Sequence, residues 1–151
     1  MRRKDKEITD PAVIESIIRQ SIVCRLAMCD GDTLYIVPLS FGYQNRALYF
    51  HSATEGKKMD ILRRNPKVCF EVDLGPAVKK AEQPCRWGMT FRSVIGTGTV
   101  HFLESPAEKR RALEILMGHY ANARFEIPDS KLDSITVFRV DVKEMTGKQS
   151  D

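Results

Sequence analysis

Between Val23 and Ser52 the chain offers three runs of β-forming residues separated only by short turn signals, and this succession restricts the fold more than any other feature. The first run, Val23 to Cys29, closes on Asp30-Gly31-Asp32, and the second runs from Thr33 to Phe41. Gly42-Tyr43-Gln44-Asn45 reads as a hairpin loop, and Ala47 to Ser52 is the third run. Consecutive strands joined by turns this short pair antiparallel, as a meander. Pro38 lacks a backbone donor, which places its strand at a sheet edge or at a bulge.

Helices and further strands follow from local signals. Asp10-Pro11 supplies an N-cap and a proline at the first helical position, and Val13, Ile14, Ile17 and Ile18 form one apolar stripe ending near Gln20. A short helix spans roughly Gly56 to Arg64 and stops before Pro66. Lys67 to Asp73 is a fourth strand, and Leu74 to Arg86, with Gly75, Pro76 and Pro84, reads as a mobile surface loop. A long strand covers Met89 to Leu103, with Gly96 and Gly98 bending it round a barrel corner. Ser105-Pro106-Ala107-Glu108 is a capping box for a helix carrying Ala112, Leu113, Leu116, Met117 and Tyr120 on one face. A loop over Ala121 to Leu132, a strand over Ser134 to Val142 and a frayed tail over Thr146 to Asp151 complete the reading. Six strands with flanking helices suit a mainly β fold, an antiparallel barrel closed or nearly so, because closure removes exposed edges. No GxGxxG follows the first strand, so a Rossmann unit is excluded.

The 151 residues fit one domain, 1–151, and leave room for a hydrophobic core. No apolar run is long enough to span a bilayer, and no h-region follows the charged N-terminus, so the expectation is a soluble, cytoplasmic protein. The net charge of +4 is mild and its basic residues fall in small clusters, which suits a small anionic ligand better than nucleic acid. Cys24, Cys29, Cys69 and Cys85 form no CxxC pair, so neither a metal site nor a disulfide framework is expected; Cys85 is the one candidate for reactivity.

Two segments can carry chemistry. Tyr49-Phe50-His51-Ser52-Ala53-Thr54-Glu55-Gly56-Lys57-Lys58 runs from a strand end through a small-residue turn into a helix. Free N–H groups at a helix start favour an anion, and two lysines there are unfavourable unless something negative offsets them. Lys57 and Lys58 therefore either hold a phosphate or simply face water. In Thr90-Phe91-Arg92-Ser93-Val94, strand alternation puts Arg92 on the face of Val94, Val100 and Phe102, where its guanidinium needs a phosphate or a glutamate.

Taken together, Val37-Pro38-Leu39-Ser40-Phe41-Gly42-Tyr43, Leu48 to Ala53, Glu55-Gly56-Lys57-Lys58, Asn65 to Val72 and Arg92-Ser93-Val94-Ile95-Gly96 resemble the FMN-binding split-barrel family. The most similar branch is the nitroimidazole-reductase-like flavoproteins of the pyridoxamine 5′-phosphate oxidase superfamily. The likeness extends over nearly the whole chain, from Arg25-Leu26-Ala27 to Thr146-Gly147-Lys148. It implies a six-stranded split barrel, a homodimer, and FMN in clefts between the two barrels. Val37, Pro38, Leu39 and Ser40 would lie along the isoalloxazine, and Phe50, His51 and Ser52 would flank the ring or the ribityl chain. Lys57 and Lys58 would hold the phosphate, with Arg92, Ser93 and Val94 completing the cradle.

The resemblance also makes His51 a candidate catalytic residue, a proton donor as hydride leaves the flavin; the alternative is a histidine that only hydrogen-bonds the cofactor or fills the strand end. His101 and His119 read as structural. The chain ends Val137-Phe138-Arg139-Val140-Asp141-Val142 and lacks the Arg-X-His signature of the oxidases proper, so a vitamin substrate is not implied. The expected activity is electron transfer from a nicotinamide donor to a small acceptor such as a nitro compound, with Trp87, Met89 and the 74–86 loop as a lid or an acceptor wall. The other class is a flavin carrier or redox sensor without turnover.

Overall fold

Asp10 caps the first helix as its spacing predicts: the carboxylate accepts from the Ala12 N–H at 2.8 Å, and the helix α1 (Pro11–Gln20) buries Ile14, Ile17 and Ile18. The computed structural model describes residues 3–123 and 126–150. After the two-residue strand β1 (Glu7–Ile8) and α1 come β2 (Cys24–Asp30), β3 (Thr33–Leu39), β4 (Gly42–Gln44) and β5 (Ala47–Ser52). The helix α2 (Lys57–Arg64) precedes two long strands, β6 (Lys67–Lys79) and β7 (Gly88–Leu103). The chain ends with α3 (Pro106–Tyr120), the short α4 (Asp129–Leu132) and β8 (Thr136–Ser150).

All strand pairs are antiparallel, in the order β3-β2-β6-β7-β8-β5-β4, with β1 on β8. The path begins at β3 and ends at β4, so the barrel is split along that seam, and Pro38 sits on an edge strand as its missing donor requires. Inside lie Phe41, Phe50, Phe70 and Phe138, fully enclosed with Leu26, Leu48, Val72 and Val94. Phe50 stacks on Phe138 with centroids 5.2 Å apart. Each buried phenylalanine contributes about 1.5–3 kcal/mol through apolar area removed from water. α2 adds Met59, Ile61 and Leu62 to this core. A second, smaller cluster forms outside, where Ala112 and Leu113 of α3 and Leu132 cover Leu103 and Val137.

Several expectations are corrected. Gly42–Gln44 is a strand rather than a loop, and the turn is Asn45-Arg46, both in the left-handed region at φ 51° and 58°. Leu74–Lys79 is not a loop: β6 continues through it, with a bulge between Leu74 and Ala77 that absorbs Gly75 and Pro76. Residues 146–150 are not frayed but lie in β8, held by β7 on one side and β1 on the other; Asp151 falls outside the described residues. Eight strands thus replace six. In the 121–132 loop, 124 and 125 lie outside the described residues, and Asp129–Leu132 is helical. Gly96 and Gly98 do coincide with a register shift, but the observed reason for glycine is space. A Cβ on Gly96 would lie 2.4 Å from the Phe70 ring, and one on Gly98 would lie 2.6 Å from the Asp141 carbonyl.

Candidate functional site

The first group of candidate residues lies on β3, on β5 and at the start of α2. α2 begins at Gly56, whose φ of 120° suits glycine, and no side chain caps its first turn. Asp60 N–H is the first to bond within the helix, to Gly56 O at 3.1 Å, leaving the earlier N–H groups free of intrahelical partners. The preceding turn is tied back by Arg63, which donates to the Thr54 carbonyl at 2.9 Å. The N-terminal end of α2 is therefore a fixed, uncapped, positively polarised point.

Two full charges are added to it. The Lys57 ammonium lies 4.7 Å from the centre of the Tyr35 ring on β3. Lys58, half-buried, faces toward β5, where its charge acts on His51. Neither lysine has an ion pair or hydrogen bond to the described residues. Burial pushes the Lys58 ammonium below its ordinary value, and burial followed by the Lys58 charge pushes His51 below 6.5. Both directions have one physical meaning: positive charge has been concentrated and partly desolvated at a helix start where, among the described residues, no carboxylate is ion-paired with Lys57 or Lys58, although Asp60 lies in the first turn. An anion such as a phosphate fits this donor set, and a cation does not.

The other expected residues divide. Val37 and Leu39 point inward from β3 and pack half-buried against the core, while Pro38 and Ser40 face outward. Ser52 lies half-buried at the end of β5 and His51 is exposed on the opposite side of that strand. Phe50 and Val94 are wholly enclosed in the core, so only their backbone can meet a ligand.

Arg92 and Ser93 stand apart from the lysines. Tyr35 pairs with Met28, which pairs with Val68, whereas Arg92 pairs with Leu74. Val68 and Leu74 are six residues apart along β6, about 20 Å of strand. α2 packs against β2, whereas α1 covers β6 and β7. Arg92 is exposed and has no ion pair among the described residues, so the glutamate partner is not found. Arg25 shows the contrast: its guanidinium meets Glu71 at 2.9 Å and also contacts Asp73.

Sequence reasoning missed Tyr35, although it lies two residues before Val37 on the same strand face. It also missed a clamp at the end of α3. Tyr120 Oη accepts from the Phe41 N–H at 2.8 Å and donates to the Ile22 carbonyl at 2.9 Å. His119 Nε2 lies 2.7 Å from the Ser21 carbonyl, and so donates, and its ring packs on Phe41 with centroids 4.4 Å apart. Together they fix the backbone beside Ser40. Long-range bonds of this kind leave no local pattern.

No helix among the described residues is long and apolar enough to cross a membrane. No group of three or more His, Cys, Asp or Glu side chains gathers at metal-binding distance among them.

Comparison with known proteins adds four findings. The family model described as pyridoxamine 5′-phosphate oxidase matches residues 10–149. A solved structure from Bacteroides thetaiotaomicron VPI-5482, of a protein named for 5-nitroimidazole antibiotic resistance, is 40% identical. It superposes with a TM-score of 0.85 over 94% of this chain and 85% of that one. The FAD and heme binding protein from Mycobacterium smegmatis shares the fold at 17% identity and a TM-score of 0.84, over 97% of this chain and 74% of that one. A curated relative, the uncharacterized protein RA0666 of Rhizobium meliloti (strain 1021), is 34% identical over 58 residues; the match spans 38% of each chain.

Proposed function

The chain belongs to the pyridoxamine 5′-phosphate oxidase family, and from that premise we propose that it binds FMN and passes electrons from a nicotinamide donor to a small acceptor such as a nitro compound. The observation that carries the reading is the uncapped start of α2, with Lys57 and Lys58 beside it and without an ion pair among the described residues. Lys57 and Lys58 hold the FMN phosphate, the free N–H groups of the first turn donate to it, and Ser52 adds a hydroxyl. The β3 segment from Val37 to Ser40 supports the ring system, kept in position by the Tyr120 clamp. When bound, FMN supplies the hydride-accepting and electron-donating centre. The flavin assignment is supported by the FAD named for the Mycobacterium smegmatis neighbour, and the nitro acceptor by the name of the Bacteroides protein.

The reading includes a second copy of the chain. The outer face of β3, β2, β6 and β7 leaves Leu34 83% and Ile36 60% exposed, with Ile95 also uncovered. Next to them lies a groove of about 480 Å³ lined by Ala27, Cys29, Leu34, Cys69 and Thr97. An apolar sheet face of this kind suits a homodimer interface.

One observation favours a second reading. With its pKa below 6.5, His51 is mainly neutral at pH 7 and is no ready proton donor, which suits a flavin carrier or redox sensor. Steady-state oxidation of NADH or NADPH separates the two. Sustained turnover with a nitroaromatic acceptor is expected; flavin that is reduced once, with no turnover on any acceptor, would leave the carrier.

A further inference from the structure

α1 and α3 flank a cleft of about 420 Å³ that is floored by Tyr43 and Gln44 of β4. None of the residues assigned to the flavin lines it. Its frame is held at two points. Gly42 lets α3 sit directly on β4, since a Cβ there would lie 2.7 Å from the Ile115 and Leu116 backbone. His119 ties the end of α3 to the Ser21 carbonyl, just past the end of α1. The cleft is thus preformed, and its volume is that of a small-molecule site.

The charges that line it differ in what they already bind. On α1, Arg19 is satisfied: it meets Glu15 at 3.1 Å and lies 5.3 Å from the centre of the Tyr43 ring. On α3, Arg111 donates to Gln44 Oε1 at 3.2 Å, which uses one of its five N–H groups. Neither Arg111 nor Glu114 has an ion pair among the described residues, although three residues apart on a helix they are neighbours. One positive and one negative group therefore remain uncommitted side by side. A plain anion would be repelled by Glu114 and a plain cation by Arg111. A molecule carrying both charges satisfies both.

Gly118 adds an independent observation. It lines the same cleft, four residues after Glu114 on the same helix face. Glycine weakens a helix relative to alanine, and nothing in the fold asks for it here. Its φ is not positive, and a Cβ would meet nothing within 4 Å. Its effect is to keep the wall of the cleft open beside Tyr43 and Ile115.

We propose that this cleft binds free α-amino acids. The carboxylate meets Arg111, the ammonium meets Glu114, and the ligand's side chain enters the space that Gly118 leaves. Both charged groups reach solvent and are screened, so the affinity is in the millimolar range. The site is separate from the flavin reading and stands or falls without it.

The test is calorimetric titration of the full chain with each standard amino acid, beside its N-acetyl form, which lacks the ammonium, and its amide, which lacks the carboxylate. At least one amino acid should bind, and both blocked forms should bind about tenfold more weakly or worse. Arg111→Gln and Glu114→Gln should each weaken binding by about the same factor. Gly118→Leu should abolish binding while the melting temperature of the unliganded protein holds or rises, a pair of effects that damage to the helix would not produce. The proposal is overturned if no standard amino acid binds, or if an N-acetyl or amide form binds as tightly as its parent. Unchanged affinity in Glu114→Gln, Arg111→Gln or Gly118→Leu would overturn it equally.

Discussion

Replacing Lys57 and Lys58 by alanine should weaken FMN binding in a way that depends on the phosphate and leaves the fold untouched. A hydrogen bond to a charged group is worth about 1.5–3 kcal/mol, which is about ten- to a hundredfold in Kd. Lys57 is exposed and screened, so Lys57→Ala belongs at the low end. Lys58 is half-buried, with its charge already disfavoured by desolvation, and Lys58→Ala belongs at the upper end. The double variant should lose about a thousandfold if the two contributions add. Because burial works against the Lys58 charge in the absence of an anion, Lys58→Ala should leave the melting temperature of the flavin-free protein unchanged or slightly higher. The assay is a fluorescence titration with FMN and, in parallel, with riboflavin, which lacks the phosphate. Riboflavin affinity should hardly move. Equal weakening toward both ligands would refute the reasoning, because the lysines would then be shaping the pocket rather than binding a dianion.

Two further outcomes follow from the same structure. A methyl group on Gly42 would come within 2.7 Å of the backbone of Ile115 and Leu116, so Gly42→Ala should push α3 off β4 at a cost of about 3 kcal/mol, measurable as a lower denaturant midpoint. His51 has a folded-state pKa below its unfolded value of 6.5, so the unfolded chain binds more protons as pH falls through 6.5. Stability should therefore decline on acidification from pH 7 through that window. His51→Gln should flatten the decline, and identical pH profiles for variant and parent in urea unfolding would count against the assignment.

The elements legible in the sequence are those whose signals are local. Asp10-Pro11 and Ser105-Glu108 start helices because the cap is built from neighbours: Ser105 Oγ accepts from the Glu108 N–H, and the Glu108 carboxylate reaches back to the Ser105 N–H. The placement of Lys57 and Lys58 in the first turn of a helix is equally legible, since the turn, the helix start and the charges are all read within a few residues. What escaped depends on partners distant in sequence. Gly75-Pro76 looks like a break, and it is one, but a bulge takes it up and β7 keeps the strand going on both sides. The polar stretch from Glu144 to Ser150 has little intrinsic β tendency and stays extended because β7 pairs with each of its residues, joined by β1 at Gly147 and Lys148. Gly147 is needed there because a Cβ would come within 2.9 Å of Ile8 and Ile14. The separation of Arg92 from Lys57 is of the same kind: alternation gives the face correctly, and only the register shows which end of the sheet it occupies.

Identification of whatever small molecule leaves the protein on denaturation tests the account most directly. A freshly purified, yellow preparation whose released chromophore has the mass of FMN, near one equivalent per chain, is the predicted result. A colourless protein that takes up no added FMN would contradict it.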